Sequence, residues 1–241
     1  MTKTNSISYT LTALGLFVAL YACQSLAQTA PEGQATQSEP PILLTRIQRL
    51  DLLNQTIIDA LSNISDTVPH LHFGVEEVLR EHYSVAAPKP HKFSLHEEGQ
   101  TMSAILNDLC GNDPAYMWSL NGTTVNVYPR NIAESENYLL NRRLDSVELH
   151  DLKSADEVLF SVIHRLIPTE QVAFCQSGGD DSYDTPWTAT FSNITVRELL
   201  NEAAAHLGPH SYWVLSGSKD FRCFAFAKGT LRKMQNPATE N

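Results

Sequence analysis

The chain has 241 residues, 42% of them apolar, which is enough for a folded core and excludes a wholly disordered segment. Its 27 Asp and Glu against 17 Lys and Arg give a formal net charge of -10, with no basic stripe or Lys/Arg cluster. Nucleic acid and anionic lipid surfaces, which need such charge to neutralise phosphates, are thereby disfavoured as partners.

Residues 1–27 read as an export signal. Lys3 precedes the apolar stretch "LTALGLFVALYA", 11–22, which is too short for a permanent membrane helix. Ser25 and Ala27 stand at minus three and minus one to a cut before Gln28. Leu20-Tyr21-Ala22-Cys23 is a second reading, a lipobox in which Cys23 is acylated, and an uncleaved anchor is a third. All three place the globular part outside the cytoplasm, periplasmic, secreted or lipid-anchored, and the expected protein is not an integral membrane protein. Residues 28–42, polar and rich in Pro and Gln, read as a flexible linker, and 229–241 as a disordered tail.

Between these ends one pattern occurs four times. Thr56 precedes Ile57, Ala60, Leu61 and Ile64; Thr101 precedes Met102, Ile105, Leu106 and Leu109. Ser154 precedes Ala155, Val158, Leu159 and Val162; Thr195 precedes Val196, Leu199, Leu200 and Ala203. Each set has the i, i+3, i+4, i+7 spacing of one helical face, behind a hydroxyl residue suited to an N-cap. Asp59, Glu157 and Glu198 stand three residues after their caps, where an acidic side chain closes a capping box, and Ala104 stands there in the second set. Intervals of 45, 53 and 41 residues argue for repetition rather than chance.

Short alternating stretches flank each helix: "RLDLL", "KFSLH", "SVELH" and "TATF" before, "HLHFGVEEV", "AYMWSL", "QVAFC" and "SYWVL" after. Asn121-Gly122 predicts a two-residue hairpin with positive φ at both positions, and "SGSKD", 216–220, a looser one. The predicted fold is α+β, a two-layer arrangement of two tandem modules, each of two strand-helix-strand units with a terminal hairpin. The first module covers 43–130 and the second 142–228, joined by a connector over 131–141 that can form a short helix. "SGGDDSYDTP", 177–186, reads as a mobile acidic loop.

The stretch "FSLHEEGQTMSAILNDLCGNDPAYMWSLNGTTVNVYPR", 93–130, resembles the secretin and TonB short N-terminal (STN) domain, as 45–92 and 143–227 do more weakly. The resemblance implies a periplasmic protein-interaction module without catalytic residues, and no cofactor or metal is expected. The expected function is accordingly that of an exported, non-enzymatic adaptor of the bacterial cell envelope. It would bind another envelope protein or a polymer through a sheet edge or through the aromatic strands.

Four aromatic residues, Tyr116, Trp118, Tyr212 and Trp213, fall on the post-helix strands at what read as equivalent places. They either pack beneath the helices or form anchors of a binding surface. Cys175 and Cys223 are the likelier disulfide pair in an oxidising compartment, with Cys110 left over; the alternative is that all three are small buried thiols. The competing function is a metal-dependent extracytoplasmic hydrolase. His70 and His72 in "HLH" read as two imidazoles on one side of a strand, with His91 and His96 and the carboxylates Glu76, Glu97 and Glu98 nearby. The spacing of a zinc signature is missing, however, and Asp180, Asp181 and Asp184 lack the order of an EF-hand. Asn54, Asn63, Asn121 and Asn193 begin Asn-x-Ser/Thr sequons, and at Asn54, Asn121 and Asn193 local backbone roles account for them.

Overall fold

Each of the four helices begins where an extended strand is forced to turn, and the same device makes the turn each time. In a computed structural model describing residues 39–65, 67, 68, 70–82, 84, 86, 89–167, 171–174 and 181–228, four strands lead into helices. They are β1 (Arg46–Gln55), β3 (Phe93–Thr101), β6 (Arg143–Ser154) and β8 (Ser182–Thr195). The helices that follow are α1 (Ile57–Ser65), α2 (Met102–Asn112), α3 (Ala155–Leu166) and α4 (Val196–Leu207). Two or three residues before each N-cap the backbone passes through the left-handed region, at Asn54 (φ 53), Gly99 (φ 64), Asp151 (φ 54) and Asn193 (φ 53). Gly, Asn and Asp are the residues that adopt this conformation at least cost. The fourfold repeat is therefore written in the backbone as well as in the apolar spacing.

The caps form, with one change from expectation. Thr101, Ser154 and Thr195 accept from the amides of Ala104, Glu157 and Glu198, and Thr195 with Glu198 completes a capping box. Thr56 and Asp59 do the same: the Asp59 amide donates to Thr56 Oγ1 at 3.2 Å and the Thr56 amide to Asp59 Oδ2 at 3.0 Å. Glu157 closes no box on Ser154, because its carboxylate accepts instead from the Lys153 amide at 2.5 Å. Every residue of the four predicted apolar faces is buried.

The helices are followed by β2 (His72–Glu76), β4 (Tyr116–Asn121), β5 (Thr124–Pro129), β7 (Val172–Phe174), β9 (Ser211–Gly217) and β10 (Arg222–Lys228). The fold is thus a mixture of helices with several sheets. β1 pairs with β3 and β6 with β8 as two antiparallel ribbons, while the other six strands form one sheet in the order β4-β5-β2-β9-β10-β7. The two halves, drawn as separate modules from the sequence, are joined through the parallel pair β2 and β9 into one compact unit beginning at Glu39. Strand side chains alternate between faces. Tyr212 and Val214 of β9 accordingly enter the core beneath α1 and α2, and Trp213 and Leu215 the core beneath α3 and α4. The two helix pairs lie on opposite faces of the shared sheet.

Several local expectations are corrected. The first hairpin loop is Gly122-Thr123, since Asn121 pairs with Thr124 in the ladder and only Gly122 (φ 58) has positive φ. The connector forms two 3-10 turns, Arg130–Ile132 and Leu139–Asn141, with Leu139 and Leu140 buried in the second core. The stretch read as an acidic loop is already strand from Ser182, and Asp184 there meets Lys228 at 2.7 Å. The stretches read as an export signal, as a linker up to residue 38 and as a tail, together with Cys23, Cys175 and Asp180, lie outside the described residues.

Polar groups stitch the joint between the halves. The Arg197 guanidinium donates through Nε to Glu76 Oε1 at 2.6 Å and through Nη1 to Asn141 Oδ1 at 2.5 Å, and lies 4.7 Å from the centroid of the Tyr128 ring. Glu76 is fully buried, and burial pushes its carboxyl above the usual range while Arg197 opposes the shift. A buried carboxylate is retained at such a joint only when paired.

Candidate protein-interaction edge

β4 is the outer strand of the six-stranded sheet, and its sequence, Tyr-Met-Trp-Ser-Leu-Asn, contains no charge and no proline. Exposed edges are ordinarily protected by Lys, Pro or a bulge, because their unpaired N–H and C=O groups can accept another strand. The opposite edge, β7, is only three residues long.

The hairpin register settles which groups of β4 face outward. In an antiparallel pair closed by a two-residue loop, the closing residues are bonded to each other and the pattern alternates from there. Asn121, Ser119 and Met117 thus turn their amides and carbonyls towards β5, and Leu120, Trp118 and Tyr116 turn theirs away. At Tyr116 the outward groups are taken locally: its N–H donates to the Asp113 carbonyl at 3.0 Å and its carbonyl accepts from Arg130 Nη2 at 3.1 Å. Among the described residues the open segment is therefore Trp118 to Leu120.

β9 is the counterpart of β4 in the second half, and there the same edge is occupied. Trp213 Nε1 donates to Asn201 Oδ1 of α4 at 2.8 Å, and Trp118 Nε1 to Asn107 Oδ1 of α2 at 3.0 Å. Both asparagines stand six residues after their N-cap threonine. Trp213 and Asn201 are 1% and 2% exposed, because β2 lies alongside with Gly74 opposite Trp213. A Cβ at position 74 would stand 2.5 Å from Trp213 Cε2 and Cζ2 and 2.6 Å from Asn126 Oδ1. Trp118 is only half-buried and Asn107 is exposed, with no strand beyond β4 in the sheet among the described residues.

The four aromatic residues picked from the sequence thus divide. Trp118 and Tyr116 line the open edge and pack against the first core; Tyr212 and Trp213 are buried core side chains and offer no surface. Tyr212 is not the counterpart of Tyr116, since it points to the opposite face of the sheet from Trp213, whereas Tyr116 and Trp118 share a face. The Tyr116 hydroxyl accepts from the Val78 amide at 3.4 Å, and burial pushes its phenol up to about 12.

The histidines do not converge. His70 lies in an exposed turn and only His72 belongs to β2. Ser211 Oγ gives its one proton to the Ala204 carbonyl, so at the 2.7 Å contact the His72 ring must donate from Nδ1 to Ser211 Oγ. Burial lowers the pKa of His72, which fits a neutral imidazole spent on the joint. His96 instead meets Asp51 at 2.5 Å on the exposed ribbon, and His91 stacks on Phe93. Among the described residues no three His, Cys, Asp or Glu side chains are grouped to hold a metal ion, and no helix is long and apolar enough to cross a membrane. Cys110 is a free buried thiol, pushed up to about 11 by burial, and Cys223 is disulfide-bonded. Comparison of the chain with models of known families, with curated proteins and with solved structures finds no match.

Proposed function

We propose that the chain is an exported, non-enzymatic adaptor of the bacterial cell envelope, built from two fused modules similar to the secretin and TonB short N-terminal domain. It binds a partner protein by strand addition at β4. The single observation that carries this reading is the unprotected edge at Trp118 to Leu120, whose counterpart on β9 is already filled by a strand. Addition of a strand supplies main-chain hydrogen bonds for affinity and lets the alternate side chains set specificity.

The export signal at 1–27 supports an address outside the cytoplasm. The acidic surface suits a protein partner better than a phosphate polymer. Of the histidines read as a hydrolase centre, His72, His91 and His96 make separate local contacts and His70 lies in an exposed turn, which favours the adaptor over the enzyme.

The test combines fractionation with capture. A tagged chain is expected in the extracytoplasmic fraction with residues 1–27 removed, or acylated at Cys23. It is expected to retain a defined envelope protein that a Ser119→Lys variant, charged in the middle of β4, loses. Recovery in the cytoplasm, or equal capture by the variant, would contradict the proposal.

A further inference from the structure

The geometry points to a specific ligand for this edge: an extended segment of a partner protein that adds parallel to β4 and sets a glycine opposite Trp118. This rests on the interaction reading above and deepens it by naming the segment's direction, register and one obligatory residue.

The template is internal. β2 runs parallel to β9 with Phe73 opposite Tyr212, Gly74 opposite Trp213, Val75 opposite Val214 and Glu76 opposite Leu215. The Glu77 amide donates to the Leu215 carbonyl at 2.8 Å, whereas the His72 amide donates to Thr123 of the β5 hairpin at 3.1 Å. By alternation the Phe73 and Val75 amides face β9, and the Gly74 amide faces β5. Leu120 stands two residues after Trp118, as Leu215 stands after Trp213, and its carbonyl turns to the open edge. A strand docked as β2 is docked finds the same acceptors there.

Glycine is required because of the indole. Trp118 is tied to α2 by the bond that ties Trp213 to α4, so its ring covers the place where the neighbouring strand's side chain would stand. On β9 that place admits no Cβ. The Trp118 socket differs from its twin in charge. Arg197, two residues after the Thr195 cap, pairs with Glu76; two residues after Thr101 stands Ser103. The ligand therefore needs no acid two residues after its glycine, and a buried carboxylate there would find no cation. The recognised pattern is apolar, glycine, apolar, uncharged.

A fluorescent peptide with the sequence of residues 71–77 carrying Glu76→Ser serves as the probe, titrated into the purified full chain and followed by anisotropy. Saturable one-to-one binding is expected. Peptides that add Gly74→Val, or an N-methyl group on the Val75 amide, should bind about tenfold weaker or worse, because each removes more than one tenfold step of free energy. N-methylation of the Gly74 amide, which faces away from β4, should leave binding within about threefold. Tryptophan emission should shift on binding, and the shift should be lost in a Trp118→Phe variant, since the other two tryptophans, Trp187 and Trp213, lie in the second core. Absence of binding, or indifference to Gly74→Val, would overturn the inference, as would equal effects of the two N-methyl groups. Sedimentation must show a monomer; head-to-tail oligomers that exclude the peptide would make a second copy the occupant and overturn it too. If the peptides fail while Ser119→Lys still abolishes envelope capture, the adaptor reading stands and only the glycine-strand ligand is lost.

Discussion

Gly74→Ala is the most informative single change, because it acts on the joint that makes two modules into one body. Elsewhere in a strand, alanine for glycine gains about 0.5–1 kcal/mol through the unfolded chain. Here the new methyl meets two ring carbons of Trp213 at 2.5 Å and Asn126 Oδ1 at 2.6 Å, both belonging to residues only 1% exposed. Trp213 cannot step aside without breaking its bond to Asn201, so the clash falls in the range of core overpacking, about 1–3 kcal/mol. The net expectation is a loss of about 1–2 kcal/mol for Ala and more for Val. Gly111→Ala, in α2 with nothing within 4 Å of its added methyl, is the control and should stabilise by about 0.5–1 kcal/mol. Urea unfolding followed by tryptophan emission and circular dichroism would read the change as a lower midpoint at constant slope. A Gly74→Ala protein as stable as the parent would refute the flush contact between β2 and Trp213, and with it the reason for a glycine at the open edge.

Two further outcomes follow from the same geometry. Asn201→Ala strands the buried Trp213 N–H and should cost about 1–3 kcal/mol, whereas Asn107→Ala, at the exposed twin, should stay within about 0.5 kcal/mol; thermal melts of the two variants side by side would show the difference. Arg197→Met leaves Glu76 buried without its cation, a change that typically costs about 3–5 kcal/mol. The folded-state pKa of Glu76 is raised, so the folded form holds the proton more tightly than the unfolded form does. Its contribution is present below the ordinary value of 4.5 and lost as pH rises through the folded value, and removing the opposing guanidinium widens that window. Stability of Arg197→Met should therefore fall from pH 4 to pH 7 relative to the parent, and Glu76→Gln in the same chain should flatten the difference.

The helices were legible because their signals are local: an apolar residue every third or fourth position behind a hydroxyl cap is both the written pattern and the physical cause. The left-handed residues at Asn54, Gly99, Asp151 and Asn193 are legible too, as a short polar or glycine residue just ahead of each cap. The shared sheet was not, since pairing Gly74 with Trp213 joins residues far apart in the chain and leaves no periodic trace. One clue was available: an isolated glycine within a strand marks a close approach by something large. The recurring Asn107 with Trp118 and Asn201 with Trp213 was a second clue, and it would have separated Trp118 from Tyr212 by strand parity. "HLH" has strand spacing, yet β2 begins only at its second histidine, so the two imidazoles do not share a strand face.

Residue-resolved amide exchange in the free protein tests the central claim most directly. The outward amides of Trp118 and Leu120 should exchange at rates near those of exposed backbone, while Trp213 and Leu215, covered by β2, should be protected to the level of global unfolding. Equal protection at all four positions would mean that β4 is not an open edge, and the adaptor account built on it would fail.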